Sequence, residues 1–297
     1  MHELDIPGLR ALDVAAGTST RTLQIGEWRF LLEGLDADLA SRLDRRWGGF
    51  VIPGPAASTR ISLRVVRGPR EGWITPAGRG EQYRIEARSK AGRSVVISYH
   101  FALWQDDGPA TWRCALADQG QEPAERVLEN AVRCLVSRVA VEDGGFALHA
   151  GGVLDDGRAY LFAGPSRSGK TTAIALSSPR ASLGDDFAVV LCRESCFFAA
   201  AVPFDNAESA PADPDRSLFA LAGIWRLFQA SAAWIEELDP VRATASLMSC
   251  VALPWTFPDL ADSVLEQVER FVTESRFEHL HFRQTSDFWP LLRRNPS

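Results

Sequence analysis

No two of the five cysteines in this chain (Cys114, Cys134, Cys192, Cys196 and Cys250) form a C-x-x-C pair, and their number is odd. That argues against a disulfide framework and for reduced thiols in a cytoplasmic protein. An N-terminal apolar segment is lacking too: Glu3 and Asp5 stand where a signal peptide would need its hydrophobic region. There is no basic excess. A net charge of −6 and a pI near 5.5 predict neither a nucleic-acid nor a membrane partner. The longest apolar stretch, Leu218 to Ile235, is interrupted by Arg226 and Gln229. An arginine at a membrane centre costs about 2.5–3.5 kcal/mol, so this stretch reads as a buried strand and helix. Internal repeats and low-complexity segments are also missing.

What remains is an ordinary globular composition, 46% hydrophobic and 24% charged over 297 residues, enough for two domains or lobes. Residues 1–20 read as a lead-in, Leu23 to Leu32 as one strand and Leu35 to Trp47 as a short helix. Ile61 to Val66, Tyr83 to Ala87 and Ser94 to Tyr99 are strand-like runs between Gly and Pro turns. Residues 1–120 are therefore expected to form a mostly antiparallel N-terminal α+β lobe, with Trp47, Trp73, Trp104 and Trp112 serving as core or interface residues. Pro123 to Val141 has an apolar stripe of Leu128, Val132, Leu135, Val136 and Val139, the pattern of an amphipathic helix. It is ended by Gly144-Gly145. A second such helix is expected over Asp259 to Glu274. Residues 121–297 would form the second domain.

That second domain carries the most informative motif. Gly164-Pro165-Ser166-Arg167-Ser168-Gly169-Lys170-Thr171 is a complete G-x-x-x-x-G-K-[ST] phosphate loop, followed by Thr172. The glycines let the backbone curl so that successive N–H groups point into one cavity, and a following helix adds its positive end. Lys170 is placed to reach the β and γ phosphates, and the Thr171 hydroxyl to ligate Mg²⁺. The context fits. A short apolar strand, Tyr160 to Ala163, leads in, and a helix-compatible run, Thr172 to Leu176, leads out.

Asp156-Gly157 between two apolar runs, Phe146–Leu154 and Arg158–Ala163, is a two-residue hairpin signal. Paired residue numbers then sum to about 313, and His149 falls opposite Gly164. The phosphate-loop strand would thus have an antiparallel neighbour, unlike the all-parallel sheet of ordinary phosphate-loop enzymes. One imidazole would sit beside the loop, or else serve as a hydrogen-bonded core histidine. Asp185-Asp186 follow after Leu183-Gly184 and precede the apolar run Phe187 to Leu191. Two carboxylates can divide metal binding and proton acceptance between them, but Gly-Asp-Asp also makes an ordinary turn. His279 and His281 alternate on a strand. With no third ligand nearby in sequence they read as structural.

Leu148-His149-Ala150-Gly151-Gly152-Val153, the loop, then Leu183-Gly184-Asp185-Asp186 and a hydrophobic strand resemble the catalytic domain of HPr serine kinase/phosphorylase. They resemble more closely the broad group of HPr-kinase-related proteins, some of which are associated with ribosomally made peptides. The tail, Phe277 to Phe282 and then Ser286 to Trp289, is similar to the closing strand and helix of that group. Thr171-Thr172 stands where HPr kinase has Ser-Glu, and Arg167-Ser168 where it has Ser-Gly. Its glycine-rich signature is missing between Cys192 and Asp205. The resemblance is therefore to the related group and not to HPr kinase itself.

The resemblance implies an α/β phosphate-loop nucleotide-binding fold of the HPr-kinase/phosphoenolpyruvate-carboxykinase type, with a mixed sheet. It implies ATP and Mg²⁺ as cofactors, and transfer of the γ-phosphate to a serine-type hydroxyl on a peptide, protein or small molecule. Lys170 would neutralise the transferring phosphate, Thr171 would hold Mg²⁺ and His149 would lie near the γ-phosphate. Asp185 and Asp186 would share metal contact and general-base work in an order left open. A homo-oligomer is compatible with it. The alternative is a nucleotide-gated binding module that binds ATP without phosphotransfer, motivated by the large N-terminal lobe without motifs.

Overall fold

The computed structural model describes residues 12–54, 58–68, 73–74, 84–90, 93–106, 108–117, 122–204, 218–252 and 256–293. The early residues Glu3 and Asp5, Tyr83 and Asp205 fall outside them. The chain is α/β with two mixed sheets. Its contacts divide it into two compact units, residues 1–136 with 255–258, and residues 137–254 with 259–297. The division thus falls inside a helix, where the sequence alone suggested a boundary near residue 120.

In the first unit, strands β1 (Ser19–Ile25) and β2 (Trp28–Leu35) form a hairpin. The sequence suggested a single strand here. Gly26, at φ 55°, takes a backbone conformation open to glycine at little cost and reverses the chain in two residues. Helix α1 (Ala37–Trp47) starts at Asp36, whose side chain accepts from the Leu39 N–H, and buries Leu39, Leu43 and Trp47. Then come β3 (Val51–Pro53), β4 (Ile61–Arg67), β5 (Glu86–Lys90), β6 (Arg93–Ile97), β7 (Phe101–Gln105) and β8 (Thr111–Leu116). Their order in the sheet is β3-β1-β2-β4-β8-β7-β6-β5. The β2–β4 and β4–β8 pairs are parallel and the others antiparallel. Trp47, Trp104 and Trp112 are buried; Trp73 is partly so.

Helix α2 (Ala124–Glu142) carries the expected stripe, with Leu128, Val132, Leu135, Val136 and Val139 all buried. Its buried Glu129 is matched by the guanidinium groups of Arg46 and Arg133 and by the Trp47 indole N–H, as an interior carboxylate requires.

The second unit contains β9 (Gly145–Leu148), β10 (Ala150–Asp155), β11 (Arg158–Ala163), α3 (Lys170–Leu176), β12 (Ala181–Gly184), β13 (Ala188–Arg193) and β14 (Cys196–Ala200). After these come β15 (Leu218–Gln229), β16 (Trp234–Glu236), α4 (Pro240–Met248), α5 (Ala261–Glu274), β17 (Phe277–Phe282) and the short α6 (Trp289–Leu292). The strand order is β12-β10-β11-β15-β14-β13-β9, with β17 also on β15 and β16 on β17. The β10–β11 hairpin has the expected register, from Ala150↔Ala163 to Asp155↔Arg158. Strand β11 has antiparallel β10 on one side and parallel β15 on the other.

The apolar run from Leu218 onward is strand in β15 and again in β16, and not a strand followed by a helix. Gly223 and the aromatics Phe219, Trp225 and Phe228 favour strand over helix, and ladder partners on both edges of β15 settle the matter. Among the described residues no helix is long and apolar enough to cross a membrane. The core under β11 is aromatic. Tyr160 stacks on Trp225 at 5.5 Å, and Phe162 meets Phe288 edge-on at 5.9 Å.

The β10–β11 turn offers a test free of packing. Asp156 and Gly157 have φ of 49° and 75°, the primed-turn geometry, and a Cβ added at Gly157 would meet nothing within 4 Å. Gly157→Val should cost about 1–2 kcal/mol in urea unfolding from the left-handed backbone alone, and Gly157→Asn clearly less. Equal costs for the two would refute that explanation.

Candidate functional site

The site forms where one antiparallel ladder is interrupted. Strand β9 pairs with β13 from Gly145↔Leu191 to Leu148↔Ala188. Strand β10 pairs with β12 from Gly152↔Gly184 onward. Leu148↔Ala188 and Gly152↔Gly184 belong to one register, since each pair of numbers has the same sum. Between them, His149–Gly151 and Asp185–Phe187 form no rungs with each other. His149 and both aspartates therefore lie in the same gap.

The gap is not left unsatisfied. The His149 N–H donates to the Cys250 carbonyl at 2.7 Å, and the His149 carbonyl accepts from the Gly164 N–H at 3.1 Å. That last bond is the opposition of His149 and Gly164 expected from the hairpin. Gly151 is required here because a Cβ would meet the Asp185 carbonyl at 2.7 Å and the Gly184 carbonyl at 3.0 Å. Its role was not legible in the sequence beyond the bare Gly-Gly pair.

The loop has the curl its glycines suggest. Gly164 and Gly169 stand at φ 150° and 108°. A Cβ at Gly164 would meet the Ser168 hydroxyl at 2.6 Å, and one at Gly169 the Phe282 ring at 2.8 Å. Both glycines are therefore fixed by conformation and by space. Arg167 has φ 69° and an exposed side chain, while its carbonyl accepts from the Gln229 side-chain amide at 3.2 Å. Pro165 and Ser166 are exposed, and Thr172 is half-buried. The Ser168 hydroxyl is buried with no hydrogen-bond partner. An orphaned buried hydroxyl is costly and is the kind of group a ligand would satisfy. A cleft of about 220 Å³ opens beside the loop against Gly169, Thr172, Gln229, Phe282 and Arg283.

Five side chains from three segments meet at the loop. The Thr171 hydroxyl donates to both carboxylate oxygens of the buried Asp185, at 2.9 and 3.0 Å. The buried Lys170 ammonium donates to the Gly164 and Pro165 carbonyls at 3.0 and 3.1 Å, and lies 3.4 Å from Asp186 Oδ1. His149 Nδ1 is 2.9 Å from the Asp186 carbonyl and 3.2 Å from its Oδ1. A carbonyl can only accept, so Nδ1 carries the hydrogen. The His149 side chain is 43% exposed, so it is not a core histidine. The two aspartates are not equivalent. Asp185 is buried on Thr171, whereas Asp186 is half-buried between Lys170 and His149.

A second polar cluster lies on β16 and β17. Glu236 stands opposite His279 and Trp234 opposite His281 in their antiparallel register. Glu236 Oε2 is 3.2 Å from His279 Nδ1 and 3.2 Å from His281 Nε2, while Oε1 accepts from Arg242 at 2.8 Å. Hydrogen bonds from Arg242 and the two imidazoles hold the Glu236 carboxyl at about 2, below the usual range. Burial pushes His279 down, toward the neutral ring. The sequence offered His279 and His281 but not Glu236, which lies some forty residues away and is joined to them only by strand pairing.

The described cysteines are free thiols, and burial pushes Cys134 up to about 12 and Cys114 further, leaving both inert. No curated protein matches the chain. The family described as SynChlorMet cassette protein ScmC matches residues 113–270, a span that includes the loop, His149, Asp185 and Asp186. That match takes in more than half of the sequence, and the chain belongs to the ScmC family.

Proposed function

We propose that this protein is an ATP- and Mg²⁺-dependent kinase that transfers the γ-phosphoryl group to a serine-type hydroxyl of a peptide, protein or small molecule, as in the HPr-kinase-related proteins its sequence resembles. One observation carries the reading. Around a loop of the complete phosphate-binding pattern, a hydroxyl meets one carboxylate, and a lysine and an imidazole meet the neighbouring one, all within hydrogen-bond or ion-pair reach of their partners.

The donor set fits the groups it would receive. The Thr171 hydroxyl and the Asp185 carboxylate are hard oxygens, suited to Mg²⁺. The buried Lys170 ammonium and the unpartnered Ser168 hydroxyl suit phosphate oxygens. Bound Mg²⁺ would supply charge neutralisation on the phosphates. Lys170 is kept pointing into the loop by two carbonyls that it can leave for phosphate. Asp186, half-buried and steered by His149, is the group an incoming hydroxyl can reach. The acceptor oxygen bonds to the γ-phosphorus while the bond from that phosphorus to its bridging oxygen breaks, and the hydroxyl proton passes to the Asp186 carboxylate. The free thiols suit a cytoplasmic setting.

Exchange of single residues separates these roles. Lys170→Ala should abolish ATP·Mg²⁺ binding in calorimetry and cost only about 0.5–1.5 kcal/mol per lost hydrogen bond in stability; unchanged nucleotide affinity would remove the assigned site. Asp185→Asn should raise the Mg²⁺ concentration for half-maximal phosphotransfer about 10–100-fold. Asp186→Asn should lower kcat about 10²–10⁴-fold at an unaltered Mg²⁺ requirement. If the two variants behave alike, the division of labour is wrong. His149→Ala should reduce turnover with little change in melting temperature, because its ring is half-exposed. A protein that binds ATP·Mg²⁺ yet phosphorylates no precursor peptide, phosphocarrier or other hydroxyl acceptor, while an Asp185→Asn, Asp186→Asn double variant keeps its nucleotide-dependent partner response, would instead be a nucleotide-gated binder.

A further inference from the structure

We propose that Glu236, His279 and His281 form a binding site for one divalent transition-metal ion of the Zn²⁺ class, separate from the phosphate loop. The argument begins with strand geometry. His279 and His281 are two apart on β17 and so share a face, while Leu280 and Phe282 between and after them turn into the aromatic core. Glu236 is directly across from His279 on antiparallel β16, and directly opposed residues also share a face. Two imidazoles and a carboxylate are thereby held on one side of a two-strand ribbon, with no loop involved.

The distances suit a common cation. Their donor atoms all lie within 4.8 Å of one another, and Glu236 Oε2 is 3.2 Å from each imidazole nitrogen. A tetrahedral ion with bonds near 2.0–2.1 Å sets its ligand atoms about 3.3 Å apart. The carboxylate divides its oxygens accordingly: Oε1 is taken by Arg242, and Oε2 alone faces both rings.

The rings are also oriented as ligands usually are. His279 Nε2, the nitrogen away from Glu236, meets the Ser246 hydroxyl at 2.7 Å, and Arg226 donates to that hydroxyl at 2.9 Å. Both near nitrogens donate to Glu236 here, and a metal would replace those two hydrogens; His279 can then carry its hydrogen on Nε2, with Ser246 as its outer partner. His281 is clamped between two aromatic rings, Trp234 at 3.8 Å with planes 6° apart and Phe228 at 5.1 Å with planes 19° apart. Little ring motion remains to be frozen on binding. Two nitrogens and one oxygen of this kind favour Zn²⁺, Fe²⁺ or a similar ion over Mg²⁺ or Ca²⁺. Three ligands leave at least one position for water or another donor.

The test is a titration of the full chain with Co²⁺, whose visible ligand-field bands report low-symmetry N/O coordination, followed by competition with Zn²⁺ against a chromophoric chelator. The parent protein should bind one equivalent, and Zn²⁺ should raise its melting temperature. Glu236→Gln keeps the side chain's shape and much of its hydrogen bonding, and should weaken binding at least about tenfold. His281→Ala should abolish the bands. The Asp185→Asn, Asp186→Asn double variant should bind as the parent does, which separates this site from the loop. No equivalent bound by the parent, full affinity in Glu236→Gln, or loss of the bands only in the aspartate variant would each overturn the proposal.

Discussion

The structure of the second unit turns on a broken rung pattern. The β9–β13 rungs and the first β10–β12 rung, Gly152↔Gly184, keep one antiparallel register across a short stretch where the segments do not pair, and the register shifts just beyond it, between Gly152 and Val153. In a continuous ladder, the His149–Gly151 and Asp185–Phe187 backbones would bond each other and their side chains would alternate across a flat sheet. Interruption frees these segments, and everything in the candidate site follows from where the freed groups go. The break is affordable because its polar groups find other partners. His149 N–H goes to the Cys250 carbonyl, its own carbonyl to the Gly164 N–H, and the Asp186 carbonyl to the His149 ring. Backbone groups in a protein interior must be satisfied somewhere, and here that requirement ties the ladder to the loop.

Short-range rules made part of this legible. Asp156-Gly157 fixed a turn type, the turn fixed a register, and the register put His149 opposite Gly164 before any tertiary contact was known. The loop glycines likewise stand where backbone curl and lack of space both demand them. Elements decided by distant partners were not legible. The run from Leu218 is a strand because β11, β14 and β17 offer it edges, and none of those edges is visible in its own composition. Leu23 to Leu32 hid a hairpin because Gly26 reverses the chain without the Asn or Asp that usually marks such turns. Glu236 is the clearest case: no spacing rule connects it to His279, and only the β16–β17 pairing does.

Sequence also could not distinguish Asp185 from Asp186, since adjacent carboxylates have the same chemistry. Surroundings distinguish them. In the bend that follows β12 the two side chains part, so one aspartate is buried on Thr171 while the other is half-buried beside Lys170 and His149. A buried carboxylate with its oxygens turned to a hydroxyl is poorly placed to meet an incoming acceptor, but well placed to hold a hard cation against that hydroxyl. A half-buried one can be approached. The proposed assignment of metal to Asp185 and proton to Asp186 thus rests on access and not on intrinsic acidity.

Strand β17 shows how alternation lets one element serve two environments. Its inward residue Phe282 packs against the position a Gly169 side chain would need, which helps make that loop residue glycine. Its other face carries His279 and His281 toward Glu236. A residue inserted into this strand would exchange the two faces at once, withdrawing Phe282 from the loop and both imidazoles from the carboxylate. Substitutions confined to one face leave the backbone register intact. That is why Glu236→Gln and His281→Ala can be compared with the aspartate variants as changes at two independent sites on one folded unit.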